Sequence, residues 1–213
     1  MEVDDAASST YSGPRDDQGR RHGHGEWEHP DGRRYIGQWQ HGTRHGQGEM
    51  RYPDGMLYSG GYSDGLRHGA GQLKAPDGTE YDGQWSAGHM HGQGEWRQTA
   101  DNARLIIGRV QVKAYSGEWL QGQRHGTGVA EYTDGTSYSG QWRHGLRHGY
   151  GVAKDSHGEV TYSGEWIQGE TPEFRLRRRR ERFVAVCSSV IVLGIVGMVA
   201  TVVLSDVAGL PQG

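Results

Sequence analysis

Twelve of the 213 residues are histidines, and two stretches crowd them: "HGHG" at His22 to Gly25 and "HMHG" at His89 to Gly92. Alternate residues on a strand share a face, so each stretch offers two imidazoles side by side. A zinc site needs three or four ligands, so each stretch is half a site. His45, His68, His91, His125 and His148 recur before a glycine in one repeated pattern, which points to hydrogen bonding around turns. No metal site and no cofactor are expected. Cys187 is the single cysteine, which excludes an intramolecular disulfide framework and a paired-cysteine metal site. No phosphate-binding glycine loop, GxSxG elbow or HExxH helix occurs. The chain reads as a non-enzyme.

These residues sit in a repeating frame. Glycine supplies 37 residues and phenylalanine only 2, poor material for an aliphatic core. Tyr35, Tyr58, Tyr81, Tyr115, Tyr138 and Tyr162 open successive units at intervals of 23, 23, 34, 23 and 24 residues. Each unit has a glycine turn (Gly42, Gly65, Gly88, Gly122, Gly145, Gly169), and a second turn follows at Asp54-Gly55, Asp77-Gly78 and Asp134-Gly135. Such punctuation between short alternating runs predicts β-hairpins. Alternation puts Tyr35, Gly37 and Trp39 on one face, with Ile36, Gln38 and Gln40 on the other. Glycine, lacking a Cβ, lets an aromatic ring settle onto the backbone beside it. A half unit precedes Tyr35, and the acidic leader 1–19 is expected to be disordered.

The pattern Y-x-G-x-W-x-x-G-x-x-H-G-x-G stands at Tyr35 to Gly48, Tyr81 to Gly94, Tyr115 to Gly128 and Tyr138 to Gly151. It resembles the MORN repeat, with the likeness covering residues 20–169. That resemblance implies an all-β protein: an elongated single-layer antiparallel sheet of tandem hairpins, in a family used for scaffolding, dimerisation and membrane-associated assembly. The departures are Tyr62 in place of a tryptophan and a longer third interval. Residues 97–114 are read as an extended hairpin, with a turn at Asp101-Asn102 and a strand from Leu105 to Val112. A single layer leaves an apolar face open, and such patches mark interfaces. The candidate partner-binding face is therefore Tyr35, Trp39, Tyr58, Tyr62, Tyr81, Trp85, Tyr115, Trp119, Tyr138, Trp142, Tyr162 and Trp166, serving a protein partner or a homodimer.

Residues 183–204 carry no charge over 22 positions, about 33 Å as a helix and enough for a bilayer core. Thr171-Pro172-Glu173 has the form of a helix start, so 170–182 is read as a basic juxtamembrane helix, 183–204 as a single transmembrane helix and 205–213 as a short tail. The positive-inside rule puts the repeats in the cytosol, with the endoplasmic reticulum or another secretory-pathway membrane favoured. No secretory signal is expected at the N-terminus. Arg97, Arg104, Arg109 and Lys113 form a basic patch, and Arg175, Arg177, Arg178, Arg179, Arg180 and Arg182 a second cluster. Both could meet a partner or anionic lipid, so an anionic phospholipid-binding module is the alternative function. Cys187 is a weak palmitoylation candidate. Residues 20–170 carry 16 basic and 18 acidic groups, which argues against nucleic acid.

Overall fold

In the computed structural model, described for residues 9–99 and 110–178, thirteen strands form one antiparallel sheet in strict chain order. They are β1 (Thr10–Ser12), β2 (Gly23–Glu28), β3 (Arg34–Gln40), β4 (Thr43–Arg51), β5 (Leu57–Ser63), β6 (Leu66–Lys74), β7 (Thr79–Ser86), β8 (His89–Gln98), β9 (Val112–Leu120), β10 (Gln123–Tyr132), β11 (Ser137–Arg143), β12 (Leu146–Lys154) and β13 (Val160–Trp166). Consecutive hairpins need no crossover, so the sheet stays open, with β1 and β13 as its edges. A separate unit begins at Glu170 and contains a short helix over residues 172–178.

Two kinds of turn alternate. The tight one places two residues in the left-handed region, His41 at φ 50° and Gly42 at φ 91° in the first full unit. That conformation matches the right-handed twist of the flanking strands. The partner of the glycine varies among His41, Asp64, Ala87, Gln121, His144 and Gln168, and a β-carbon is strained there. The wider turn closes with an aspartate side chain: Asp54, Asp77 and Asp134 each accept a hydrogen bond from the backbone N–H two residues on, at 3.0, 2.8 and 2.9 Å.

Beyond each tight turn the strand bulges. Gly37 pairs with Gly48, but Trp39 already pairs with Arg44. The side chain of Gln38 bridges the gap, its Oε1 accepting from the Gln47 N–H at 2.7 Å. Gln84, Glu118 and Gln141 do the same for Gln93, Thr127 and Tyr150. In the second unit this position is Gly61, which has no side chain to supply the bridge.

The expected leader is corrected for residues 9–19. Thr10 to Ser12 pairs with β2, Tyr11 facing Trp27, and Arg15 bridges to Arg21. A strand already paired on one side only, β2, offers free backbone groups that the preceding chain satisfies. The half unit is thus a whole hairpin. In the extended hairpin, β9 starts only at Val112, with Val110 and Gln111 outside any strand. The Asp101-Asn102 turn and the rest of the Leu105 to Val112 strand lie outside the described residues, as do 183–204 and 205–213. Among the described residues no helix is long and apolar enough to cross a membrane.

The Gly60–Gly71 pair shows why the sheet tolerates this much glycine. A Cβ on Gly71 would collide with the Tyr58 hydroxyl and ring, while the backbone there is not in the left-handed region. Gly71→Ala should therefore lower stability by about 1–3 kcal/mol through overpacking alone. Ser139→Ala, on the exposed side of β11, should leave the urea midpoint unmoved. An unchanged midpoint in Gly71→Ala would show that the ring is not seated there.

Candidate functional site: the aromatic ladder and its arginine caps

The tyrosine that opens each unit lies over its own strand. Its hydroxyl donates to the carbonyl three residues on: Tyr35 to Gln38, Tyr58 to Gly61, Tyr81 to Gln84, Tyr115 to Glu118 and Tyr138 to Gln141, all at 2.9–3.0 Å. Tyr11 and Tyr162 make the same bond to Pro14 and Glu165. This contact is possible because glycine stands under the ring, on both strands for every tyrosine except Tyr162 of the edge strand, which has Gly164 alone. The tryptophan two positions beyond that glycine then reaches back. Its indole N–H donates to a glycine carbonyl on the preceding strand, as in Trp85 to Gly71 at 2.9 Å and Trp142 to Gly128 at 3.1 Å. Trp39, Trp119 and Trp166 repeat it with Gly25, Gly94 and Gly151.

The rings meet edge to face throughout. Starting at Tyr11, the sequence of contacts runs through Trp39, Tyr35, Tyr62, Tyr58, Trp85, Tyr81, Trp119, Tyr115, Trp142, Tyr138 and Trp166 to Tyr162, with centroids 5.1–5.6 Å apart and planes 79–89° from parallel. This is the geometry favoured by the ring quadrupole, adding about 0.5–1.5 kcal/mol per pair beyond area burial.

An arginine caps most rungs. Arg67 lies 4.3 Å from the Trp85 ring, Arg124 4.7 Å from Trp142, and Arg147 4.1 Å from Trp166. Arg21 takes the place over Trp39 at 4.9 Å, and Arg44 lies 5.7 Å from Tyr62. Arg44, Arg124 and Arg147 also donate to the turn glycines Gly65, Gly145 and Gly169 at 3.0–3.2 Å. These three caps thus join a cation–π contact to a hydrogen bond with the next tight turn. Burial lowers the Arg124 pKa from its ordinary value.

The rings therefore form the core. Eleven of the twelve proposed contact residues are buried, and only Tyr162, on the edge strand, is partly open. The expectation of an open aromatic face is corrected: neighbouring rings pack edge to face against one another, and arginines cover the planes of Trp39, Trp85, Trp142 and Trp166. Sequence reasoning missed Tyr11 and the five arginines. Their signal was present, since Arg21, Arg44, Arg67, Arg124 and Arg147 each stand immediately before the repeated His-Gly.

The charged candidates scatter. Arg97 faces Glu80 at 3.6 Å, and Lys113 lies on β9; Arg104 and Arg109 lie outside the described residues. In the second unit Arg178 pairs with Glu170, while Arg175 and Arg177 lie on the short helix. Arg179, Arg180, Arg182 and Cys187 lie outside the described residues. Asp16, His22 and His41 place ligand atoms within 4.8 Å of one another. Arg20 already serves as their cation, with its Nε 2.8 Å from Asp16 and Nη2 2.9 Å from His41 Nδ1. Desolvation opposes the Asp16 charge, yet hydrogen bonds from Arg20, His41 and Gln18 hold its pKa down to about 2. The His22–His41 ring pair, 5.7 Å apart, recurs as His125–His144 at 5.8 Å, so it belongs to the repeat.

An open sheet of tandem hairpins, closed by its own rings, defines a β-repeat protein. MORN repeat models match residues 17–33, 35–57, 58–80, 81–98, 115–137 and 138–156, and the chain belongs to the MORN repeat family. No curated protein matches it. Among solved structures, the wild-type TCP10 domain of Danio rerio CPAP is similar at 18% identity with a TM-score of 0.35, covering 67% of this chain and 62% of that one. The same domain in complex with a peptide of Danio rerio STIL gives 22% identity and a TM-score of 0.36, covering 67% and 59%. The chain thus spans about three-fifths of the length of those domains.

Tyr62 stands where a tryptophan would donate to Gly48, and its own buried hydroxyl has no partner. Tyr62→Trp should raise stability by about 1 kcal/mol by supplying the missing bond, read as a higher urea midpoint. Burial also pushes the Tyr58, Tyr81 and Tyr138 phenols up to about 12, and raises Tyr35, Tyr62 and Tyr115 as well. An unfolded tyrosine titrates near 10, so between about pH 10 and 12 the unfolded chain binds fewer protons. Stability is then full below pH 10 and falls as pH rises toward the folded values. Tyrosinate absorbance at 295 nm should therefore appear for these residues together with loss of far-UV structure. Their ionisation near pH 10 with the sheet intact would contradict the seating described.

Proposed function

We propose that the chain is a membrane-anchored interaction scaffold, its MORN sheet presented to protein partners on the cytosolic side. The observation that carries the reading is that thirteen strands consume their rings and arginines in internal closure, leaving an open sheet with a long outer surface. Side chains on that surface include Val129, 44% exposed, and Tyr150, 65% exposed. Both lie on the polar face, where no ring of the ladder reaches. Large exposed apolar groups on such a surface serve contact with another chain. Anchoring rests on the uncharged run 183–204 and the arginines before it, with an endoplasmic reticulum or other secretory-pathway membrane as the proposed location.

Two measurements test this. Full-length protein should remain in the membrane pellet after alkaline carbonate extraction, and release into the supernatant would overturn the anchor. Affinity capture from solubilised membranes should retain defined partners that are lost in Val129→Ser/Tyr150→Ser with unchanged circular dichroism. Equal recovery from the variant would remove the outer face as the recruiting surface. Capture of acidic vesicles by the scaffold's basic residues would favour the lipid reading, which the pairing of Arg97 with Glu80 weakens.

A further inference from the structure

The arginine caps are interrupted once. In the third full unit the residue before His91 is Met90, where Arg21, Arg44, Arg67, Arg124 and Arg147 stand in the others. The frame around the gap is unchanged. The Gly122 N–H donates to the Met90 carbonyl at 2.9 Å, as Gly65 does to Arg44, Gly88 to Arg67, Gly145 to Arg124 and Gly169 to Arg147, all within 2.8–2.9 Å. Met90 pairs across the strand with Trp85 just as Arg147 pairs with Trp142. Only the guanidinium is missing.

Its absence leaves two groups, among the described residues, without the partner their counterparts have. Among the described residues no cation lies over Trp119, whereas Trp39, Trp85, Trp142 and Trp166 each carry an arginine at 4.1–4.9 Å. Trp119 is also the most exposed of the buried ladder rings, at 8%. No described residue donates to the Gly122 carbonyl, the counterpart of the acceptors at Gly65, Gly145 and Gly169. Both groups border a cavity of about 500 Å³ whose walls include Met90, Trp96, Gln98, Trp119, Gly122 and Arg124, the last already engaged with the Trp142 ring and the Gly145 carbonyl. Gln98 widens it, standing where Tyr52 and Tyr132 pack against the core in other units.

We propose that this cavity receives an arginine side chain from a partner protein, its guanidinium stacking on Trp119 and donating to the Gly122 carbonyl. The chemistry of the occupant is set by the sister units: a planar cation that offers both a π-stacking face and N–H donors. Lysine meets the first need less well, and a neutral amide meets only the second. The proposal rests on the partner-recruiting reading above and names one site within it, apart from the Val129 and Tyr150 surface.

The test uses full-length protein carrying 5-fluorotryptophan, with Nα-acetyl-arginine methylamide as the probe. The Trp119 fluorine resonance should shift saturably with the arginine probe, and the matching citrulline compound, isosteric and neutral, should bind about tenfold or more weakly. Met90→Arg restores the repeat, so it should raise the melting temperature and abolish the Trp119 response. An equal response to citrulline, a lowered melting temperature in Met90→Arg, or a Trp119 shift that survives that substitution would each overturn the proposal. So would movement of the Trp119 resonance, without probe, in Arg104→Gln/Arg109→Gln, since the cation would then come from the chain itself. Loss of captured partners in Val129→Ser/Tyr150→Ser bears on the scaffold reading and not on this site.

Discussion

The fold depends on one contact: a tyrosine ring resting on two facing glycines, hydroxyl bonded to its own strand and edge turned into the next aromatic plane. A globular domain hides apolar surface by stacking a second layer on the first. Here the second layer is one side chain thick and comes from the sheet itself. Glycine ordinarily weakens a strand, yet each facing pair opens the space in which a large ring becomes wholly buried. The two effects are inseparable, because removing the glycine displaces the ring and removing the ring leaves flexible backbone with nothing on it.

From that contact the chain gains the character of a one-dimensional solid. Each hairpin touches its neighbours and little else, so stability accumulates unit by unit. Continuity is carried twice, by the edge-to-face sequence of rings and by the arginines that reach from one tight turn to the next. Positions that break the pattern stand out because the rest is so regular. Tyr62 keeps the ring contact but loses the hydrogen bond. Met90 keeps the backbone and loses the cation. The second change sits beside the long third interval, so the one gap in the capping series adjoins the one irregular hairpin.

This arrangement separates stability from recognition. Rings used to hold the hairpins together are unavailable to a partner, which leaves the opposite face, the edge strands and the places where the internal closure is incomplete for the contacts proposed above. An arginine stacked on a tryptophan is a stabilising element when both belong to one chain. Divided between two chains, the same pair is a recognition element.

The spacing of Tyr35, Tyr58, Tyr81, Tyr115, Tyr138 and Tyr162, with Asp-Gly and X-Gly turns between, was enough to determine hairpins, strand order and which face holds the rings. Alternation and turn chemistry are local, and local rules are readable one residue at a time. Tyr11 was hidden because its unit lacks the tryptophan and the regular turn that mark the others, and its pairing with Trp27 is a tertiary fact. Whether the aromatic face stays open was likewise undecidable from the sequence. The planes are covered by arginines such as Arg67 and Arg147, whose reach across to the next unit's ring depends on the bulge after each tight turn and on the twist between hairpins. Those are properties of three-dimensional packing, where a charged residue that reads as solvent-facing becomes part of the core.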